Sequence, residues 1–225
     1  MDAHEVEAVL DGCEAALAGG GPVDLRGLGF WRAVAAVKRE PAWIDRYADR
    51  IGTIDRLAFQ RAVWPRLPLA AGALGLGLGA ALGLGLAAAA RRLEGGRRDL
   101  ALLAGAGLLL GTTHDLGHLV VGRSLGIQFT EWFLDGPTRI QPGLKTDYAT
   151  YLRCPASARA WMHAAGALAT KIVPFALLPL ADGWSRPALL AIGTGAIATD
   201  VLFSTWQSDW KRFRREMRVA RASRA

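Results

Sequence analysis

Four long apolar blocks decide what this chain can fold into. An α-helix rises 1.5 Å per residue, so crossing ~30 Å of hydrocarbon takes about 20 mainly apolar residues. Leu67 to Ala90 meets that requirement without a single charge. Leu100 to Val121 meets it with one interruption, His114-Asp115-Leu116-Gly117-His118. Ala160 to Ala181 meets it apart from His163 and Lys171, and Pro187 to Trp206 meets it apart from Asp200. One such block also suits the core of a water-soluble protein, but four in succession point to transmembrane helices. The expected fold is an all-α integral membrane protein with four transmembrane helices, a small β-hairpin-like insertion and an N-terminal soluble helical segment.

Composition narrows the alternatives. Half of the chain is hydrophobic (52% of 225 residues), which excludes a disordered or collagen-like chain. Two distant cysteines, Cys13 and Cys154, exclude a disulfide framework and a four-cysteine zinc module. Only four histidines are present, His4, His114, His118 and His163, so any multi-histidine site must use most of them.

Residues 1–66 open with five acidic side chains in the first 20 positions, unlike the basic start of a secretory signal. They read as short amphipathic helices, with Phe30, Trp31, Val34 and Val37 on one face and Ile51, Ile54, Leu57 and Ala58 on another. Residues 67–210 form the membrane domain, interrupted by a polar insertion at 123–158. There Ile127, Phe129, Glu131 and Phe133 alternate with their neighbours, Asp135-Gly136-Pro137 breaks the chain, and Thr138 to Gln141 is read as the returning strand of a hairpin. Residues 211–225 are a basic tail.

Lys and Arg accumulate on the side that holds Arg61, Arg66, the 123–158 insertion and the tail, while Arg91, Arg92, Arg97, Arg98 and Arg186 lie on the other. The larger share marks the cytoplasmic side, so both termini are expected in the cytoplasm of a cell-membrane protein. The net charge of +7 is then a membrane-surface signal with no call for nucleic acid. Lys211-Arg212-Phe213-Arg214-Arg215 suits a helix lying on anionic lipid headgroups. In the first block Gly75, Gly79 and Gly83 recur every four residues, a spacing that lets helix backbones approach closely, more simply within the chain than between copies.

Ionisable groups inside hydrocarbon are costly, roughly 2.5–3.5 kcal/mol each on insertion scales, and here they are not scattered. Counted from the span ends at 1.5 Å per residue, His114 lies ~12 Å, His118 ~6 Å, His163 ~6 Å and Asp200 ~9 Å deep, all from one face. His114 and His118 are i and i+4, which puts both rings on one side of a helix, the spacing by which a helix chelates a first-row metal. Asp115 then sits beside the metal. The competing reading is a hydrogen-bonded polar cluster in which Asp200 pairs with Lys171 or His163.

These residues resemble the site-2-type intramembrane zinc metalloproteases. Thr113-His114-Asp115-Leu116-Gly117-His118 and the run to Ile127 resemble that family's HExxH helix and its exit. Ala160 to Thr170 resembles the next helix, and Asp200 to Trp210 occupies the place of an element whose Asp is the third zinc ligand. The resemblance implies Zn²⁺ held by His114, His118 and Asp200 or Asp209, with Asp115 as general base and His163 as oxyanion donor. Asp209 matches by motif order. Asp200 matches by depth, and depth favours it, because Asp209 is expected at or beyond the membrane surface. Three departures stand out: Asp115 replaces the family's Glu and is one methylene shorter, the chain has no Asn, and Leu-Asp-Gly has become Ser208-Asp209-Trp210.

The implied function is metal-dependent hydrolysis of a peptide bond in a transmembrane protein substrate. The alternative is a non-catalytic relative that keeps the fold as a membrane scaffold or regulator and still binds metal. A di-iron hydroxylase is excluded, since such sites use around eight histidines.

Overall fold

A computed structural model describes residues 1–135, 141–203 and 208–222. In chain order its elements are α1 (Ala3–Ala18), α2 (Phe30–Val37), α3 (Pro41–Ala62), β1 (Arg66–Pro68), α4 (Leu69–Ala90), α5 (Gly95–Ser124), β2 (Phe129–Asp135), β3 (Gln141–Thr146), α6 (Tyr148–Arg153), α7 (Ala156–Leu177), a short 3₁₀ turn (Leu178–Leu180), α8 (Ser185–Phe203) and α9 (Asp209–Ala222). They divide into two compact units.

The first unit joins residues 1–69 to 123–159 and to the chain from Met217. Helix α1 starts on a reciprocal cap in which Asp2 accepts from the Glu5 amide and Glu5 accepts from the Asp2 amide. Val6, Leu10, Cys13 and Leu17, spaced one or two turns apart, are buried from that helix. They share a core with Phe30, Val34 and Val37 of α2, Ile51, Ile54 and Ala58 of α3, and Leu152 of α6. Trp31 and Leu57, placed on the same apolar faces by sequence, are instead about two-fifths exposed. Each lies at the margin of its buried face, roughly 100° around the helix from the centre of that face.

The insertion forms more than a hairpin. The sheet has three antiparallel strands in the order β1-β2-β3, with Leu67 opposite Trp132 and Trp132 opposite Leu144. Its returning strand is Gln141–Thr146, whereas Thr138 to Gln141 was expected; residues 136–140 lie outside the described residues. The third strand, Arg66–Pro68, comes from the start of the first apolar block, which pattern reading assigns wholly to a helix. Glu131 accepts from Arg66 at 3.3 Å and from Gln60 at 3.2 Å, and Lys145 pairs with Asp55.

The second unit holds 70–122 and 160–216. Among the described residues three helical segments are long and apolar enough to cross a membrane: Leu69–Ala90, Gly95–Ser124 and Ala156–Leu180. The fourth block forms α8, which carries Arg186 and Asp200 and is not one of the three; the block's last residues, 204–206, lie outside the described residues. Leu74, Leu78, Leu82 and Leu84 of α4 are 58–64% exposed, a surface suited to lipid. Inside, Ala87, Ala90, Leu102, Ala106, Leu109, Leu177, Ala181 and Leu189 form an apolar core.

Helices α4 and α5 meet through small residues. A methyl group at Gly105 would come within 2.7 Å of the Gly83 carbonyl oxygen, and one at Gly79 within 2.7 Å of Thr112. Gly79 and Gly83 of the repeat therefore serve packing within the chain, whereas nothing lies within 4 Å of a methyl group placed at Gly75. Backbone atoms cannot give way as side-chain ends can, so Gly105→Ala is expected to destabilise by about 1–3 kcal/mol and lower the thermal midpoint in mild detergent. Gly77→Ala, where nothing lies within 4 Å, is expected to leave that midpoint unchanged or slightly raised.

Candidate metal centre

The site is built in the second unit on the last three turns of α5. His114 and His118 lie one turn apart with their rings edge to face, centroids 4.7 Å apart, and their Nε2 atoms 3.2 Å apart. A half-buried imidazole needs a partner for its second nitrogen as well. For His118 that partner is the Met162 carbonyl oxygen on α7, 2.8 Å from Nδ1. Since a carbonyl only accepts, Nδ1 carries the proton and donates it, which turns the Nε2 of the neutral ring into a lone-pair donor.

Helix α7 comes this close because both helices place glycine at the contact. A Cβ at Gly117 would meet the Ala165 carbonyl oxygen at 2.9 Å, and a Cβ at Gly166 would meet His118 Nε2 at 2.3 Å. The His118 ring occupies the space that any larger residue at 166 would fill.

The third group is Asp209, the first residue of α9. Its Oδ2 lies 3.3 Å from His114 Nε2 and 3.2 Å from His118 Nε2. These three atoms form a nearly equilateral triangle. Burial works to raise the Asp209 carboxyl, yet its hydrogen bond with His118 and the charge of the surrounding imidazoles outweigh that effect and hold it below the usual carboxylate range. The positive charge between these three atoms comes either from a proton on His118 Nε2, which then donates to Asp209, or from a bound cation that takes the proton's place. Ligand bonds of ~2.0–2.1 Å at tetrahedral angles imply ligand–ligand edges of about 3.3 Å. The donor set and its spacing thus fit a divalent first-row cation, and among the described residues His114, His118 and Asp209 are the group that could share one.

The other expected site residues fall around this triangle. Asp200 is not in it: its Oδ2 is taken by the Lys171 ammonium and by the Trp210 indole N–H at 2.5 Å. Depth counted along one helix does not register that an opposite charge on the neighbouring helix competes for the carboxylate. His163 is buried, with its ring centroid 6.4 Å from that of His118 and its Nδ1 3.9 Å from Asp209 Oδ1, beside the carboxylate's other oxygen. Asp115 is buried, and its Oδ2 has no hydrogen-bond partner among the described residues. His4 is exposed in the first unit.

Sequence pattern missed the Met162 carbonyl, which is invisible in any side-chain motif, and the role of Gly166. A small residue on each of two polar-bearing helices, Gly117 within the His-Asp-Leu-Gly-His run and Gly166 three residues after His163, was the available signal. No protein-family model, curated protein or solved structure matches this chain.

Two substitutions separate the donor atoms from the space that holds them. Asp209→Ala removes one of three ligands and is expected to abolish retention of metal through purification, read by elemental analysis. Gly166→Ala removes no donor, yet is expected to lower metal content as well, because its methyl displaces the His118 ring; retention of full metal content would refute that packing argument.

Proposed function

We propose that this chain is an integral membrane, zinc-dependent peptidase of the site-2 type, acting on a transmembrane protein substrate. The observation that supports the reading best is the convergence of His114, His118 and Asp209 into one triangle of lone pairs. These are the residues that match, in motif order, the three zinc ligands of the family the sequence resembles. Nitrogen and oxygen donors without thiolate suit zinc.

A divalent ion held there supplies Lewis acidity, polarising a carbonyl and acidifying water at neutral pH. The protein's own groups supply the proton transfers. Asp115 follows the first ligand on the helix, and its buried Oδ2, without a hydrogen-bond partner among the described residues, is available to take a proton from water as the peptide carbonyl is attacked and to return it to the amide nitrogen as the C–N bond breaks. His163, beside the carboxylate of Asp209, donates an N–H to the developing oxyanion, the task that an Asn has in the family. Met162 keeps His118 in the tautomer whose Nε2 lone pair faces the site. A helical substrate must unwind to expose its amide.

In this reading α8 is a fourth span, both termini are cytoplasmic, residues 1–66 are a soluble helical segment at the cytoplasmic face, and the basic side of α9 lies on anionic headgroups of the cell membrane. Trp184, exposed at the start of the α8 region, then faces the opposite side from the termini. Cysteine labelling in a Cys154→Ser background is expected to modify Trp184→Cys from outside and Ala222→Cys only from the cytoplasmic side. Labelling of both from one side would overturn the four-span topology.

Activity is tested with reconstituted full-length protein and a tagged single-span reporter helix carrying a Gly-Pro break. Cleavage is expected, and is expected to stop on addition of a chelator and to return with zinc. Asp115→Asn is expected to retain the metal and lose at least about 100-fold in cleavage rate, the usual contribution of a general base. Metal bound at full stoichiometry with no cleavage of any reporter would instead support the non-catalytic scaffold.

A further inference from the structure

Asp200 and Lys171 form a half-buried ion pair between α8 and α7, and its geometry does more than neutralise two charges in an apolar setting. The carboxylate oxygen that meets Lys171 Nζ, Oδ2, also accepts the Trp210 indole N–H at 2.5 Å. Trp210 is the residue after Asp209, the carboxylate of the metal triangle. Asp200 lies three residues before the end of α8 and Trp210 on the second residue of α9, so this hydrogen bond closes the connection between the two helices.

Adjacent residues on a helix point about 100° apart. The first turn of α9 is therefore held from two directions, by Asp209 toward the imidazoles and by Trp210 toward Asp200. The Trp210 ring also packs edge-on against Phe213 at 5.6 Å, and Phe213 against Trp161 of α7 at 5.7 Å. Trp161 directly precedes Met162, whose carbonyl orients His118. One continuous set of contacts thus runs from Asp200 to two of the three triangle residues.

We propose that Asp200, anchored by Lys171, is a positioning residue for the metal ligand Asp209, acting through the Trp210 indole. The proposal rests on the metal-centre reading, and it assigns to the ion pair a function in metal affinity that goes beyond stabilising the fold. Lys171 restrains the carboxylate from one side, which directs the remaining acceptor capacity of Oδ2 to the indole. Losing the indole hydrogen bond frees the first turn of α9 to rotate, so Asp209 must then be ordered at the moment the cation binds, at the expense of affinity. Outer partners of metal ligands are typically worth about 10–100-fold in affinity.

The test uses full-length protein in mild detergent, titrated with Co²⁺ and read by its visible d–d absorption, which reports ligand geometry independently of stability. Trp210→Phe retains the ring packing with Phe213 and removes only the N–H. It is expected to weaken Co²⁺ binding by about tenfold and to alter the absorption spectrum. Lys171→Met/Asp200→Leu removes both charges together, which leaves no unpaired buried ion. It is expected to show the same loss and the same altered spectrum. The triple variant is expected to fall no further than Trp210→Phe alone, because the substitutions break one chain of contacts.

Wild-type affinity and spectrum in Trp210→Phe overturn the positioning role, whatever happens to thermal stability. If the double variant does not fold, Trp210→Phe alone decides the question. Wild-type protein that binds no Co²⁺ overturns the metal-centre reading and this proposal with it. Wild-type binding together with an unaffected Trp210→Phe overturns this proposal only.

Discussion

Three ligand atoms that converge at a half-buried site need positive charge between them, from a proton or from a bound cation, and this requirement shapes the site in the second unit. Two imidazole nitrogens and one carboxylate oxygen lie 3.2–3.3 Å apart, too close for three acceptors to coexist without positive charge between them. Everything adjacent supports that convergence. Glycines 117 and 166 bring α5 and α7 to backbone contact, the Met162 carbonyl fixes the tautomer of His118, and α9 begins with the carboxylate that completes the set. A side chain larger than hydrogen at 166 would occupy the place of the His118 ring, so the site depends on the helix packing as much as on its donors.

The same electrostatics explains why two carboxylates on neighbouring elements have different fates. Asp200 faces an ammonium and an indole N–H, and its charge is matched there. Asp209 faces imidazoles, whose charge state is adjustable and whose neutral nitrogens are metal ligands. An aspartate beside a permanent cation is matched in charge; one beside imidazoles stays able to share a metal with them. Asp115 belongs to neither class. Among the described residues its Oδ2 is buried and has no hydrogen-bond partner.

Much of the molecule could be read from residue pattern. The four apolar blocks match the helices α4, α5, α7 and α8, and among the described residues the first three of these are long and apolar enough to cross a membrane. The i, i+4 spacing of His114 and His118 puts two rings on one face without reference to any other element. In the first unit, the buried faces of α2 and α3 follow the same periodicity, with Trp31 and Leu57 as the exceptions. The sheet was only half legible: alternation marked β2, but the proline-containing segments Arg66–Pro68 and Gln141–Thr146 carry no period-two pattern, and only pairing identifies them as strands.

By itself the sequence determined properties that depend on one helix at a time: the number and length of apolar segments, the histidine pair, the acidic residue beside it, and the small residues that permit close packing. Only the tertiary structure decided which carboxylate joins the histidines, which carbonyl orients them, and what restrains the first turn of α9. Depth along a helix is a single coordinate, whereas ligation needs three atoms to meet in space. Lys171 pairs with Asp200, and the start of α9 delivers Asp209 to the histidines from beyond the end of α8.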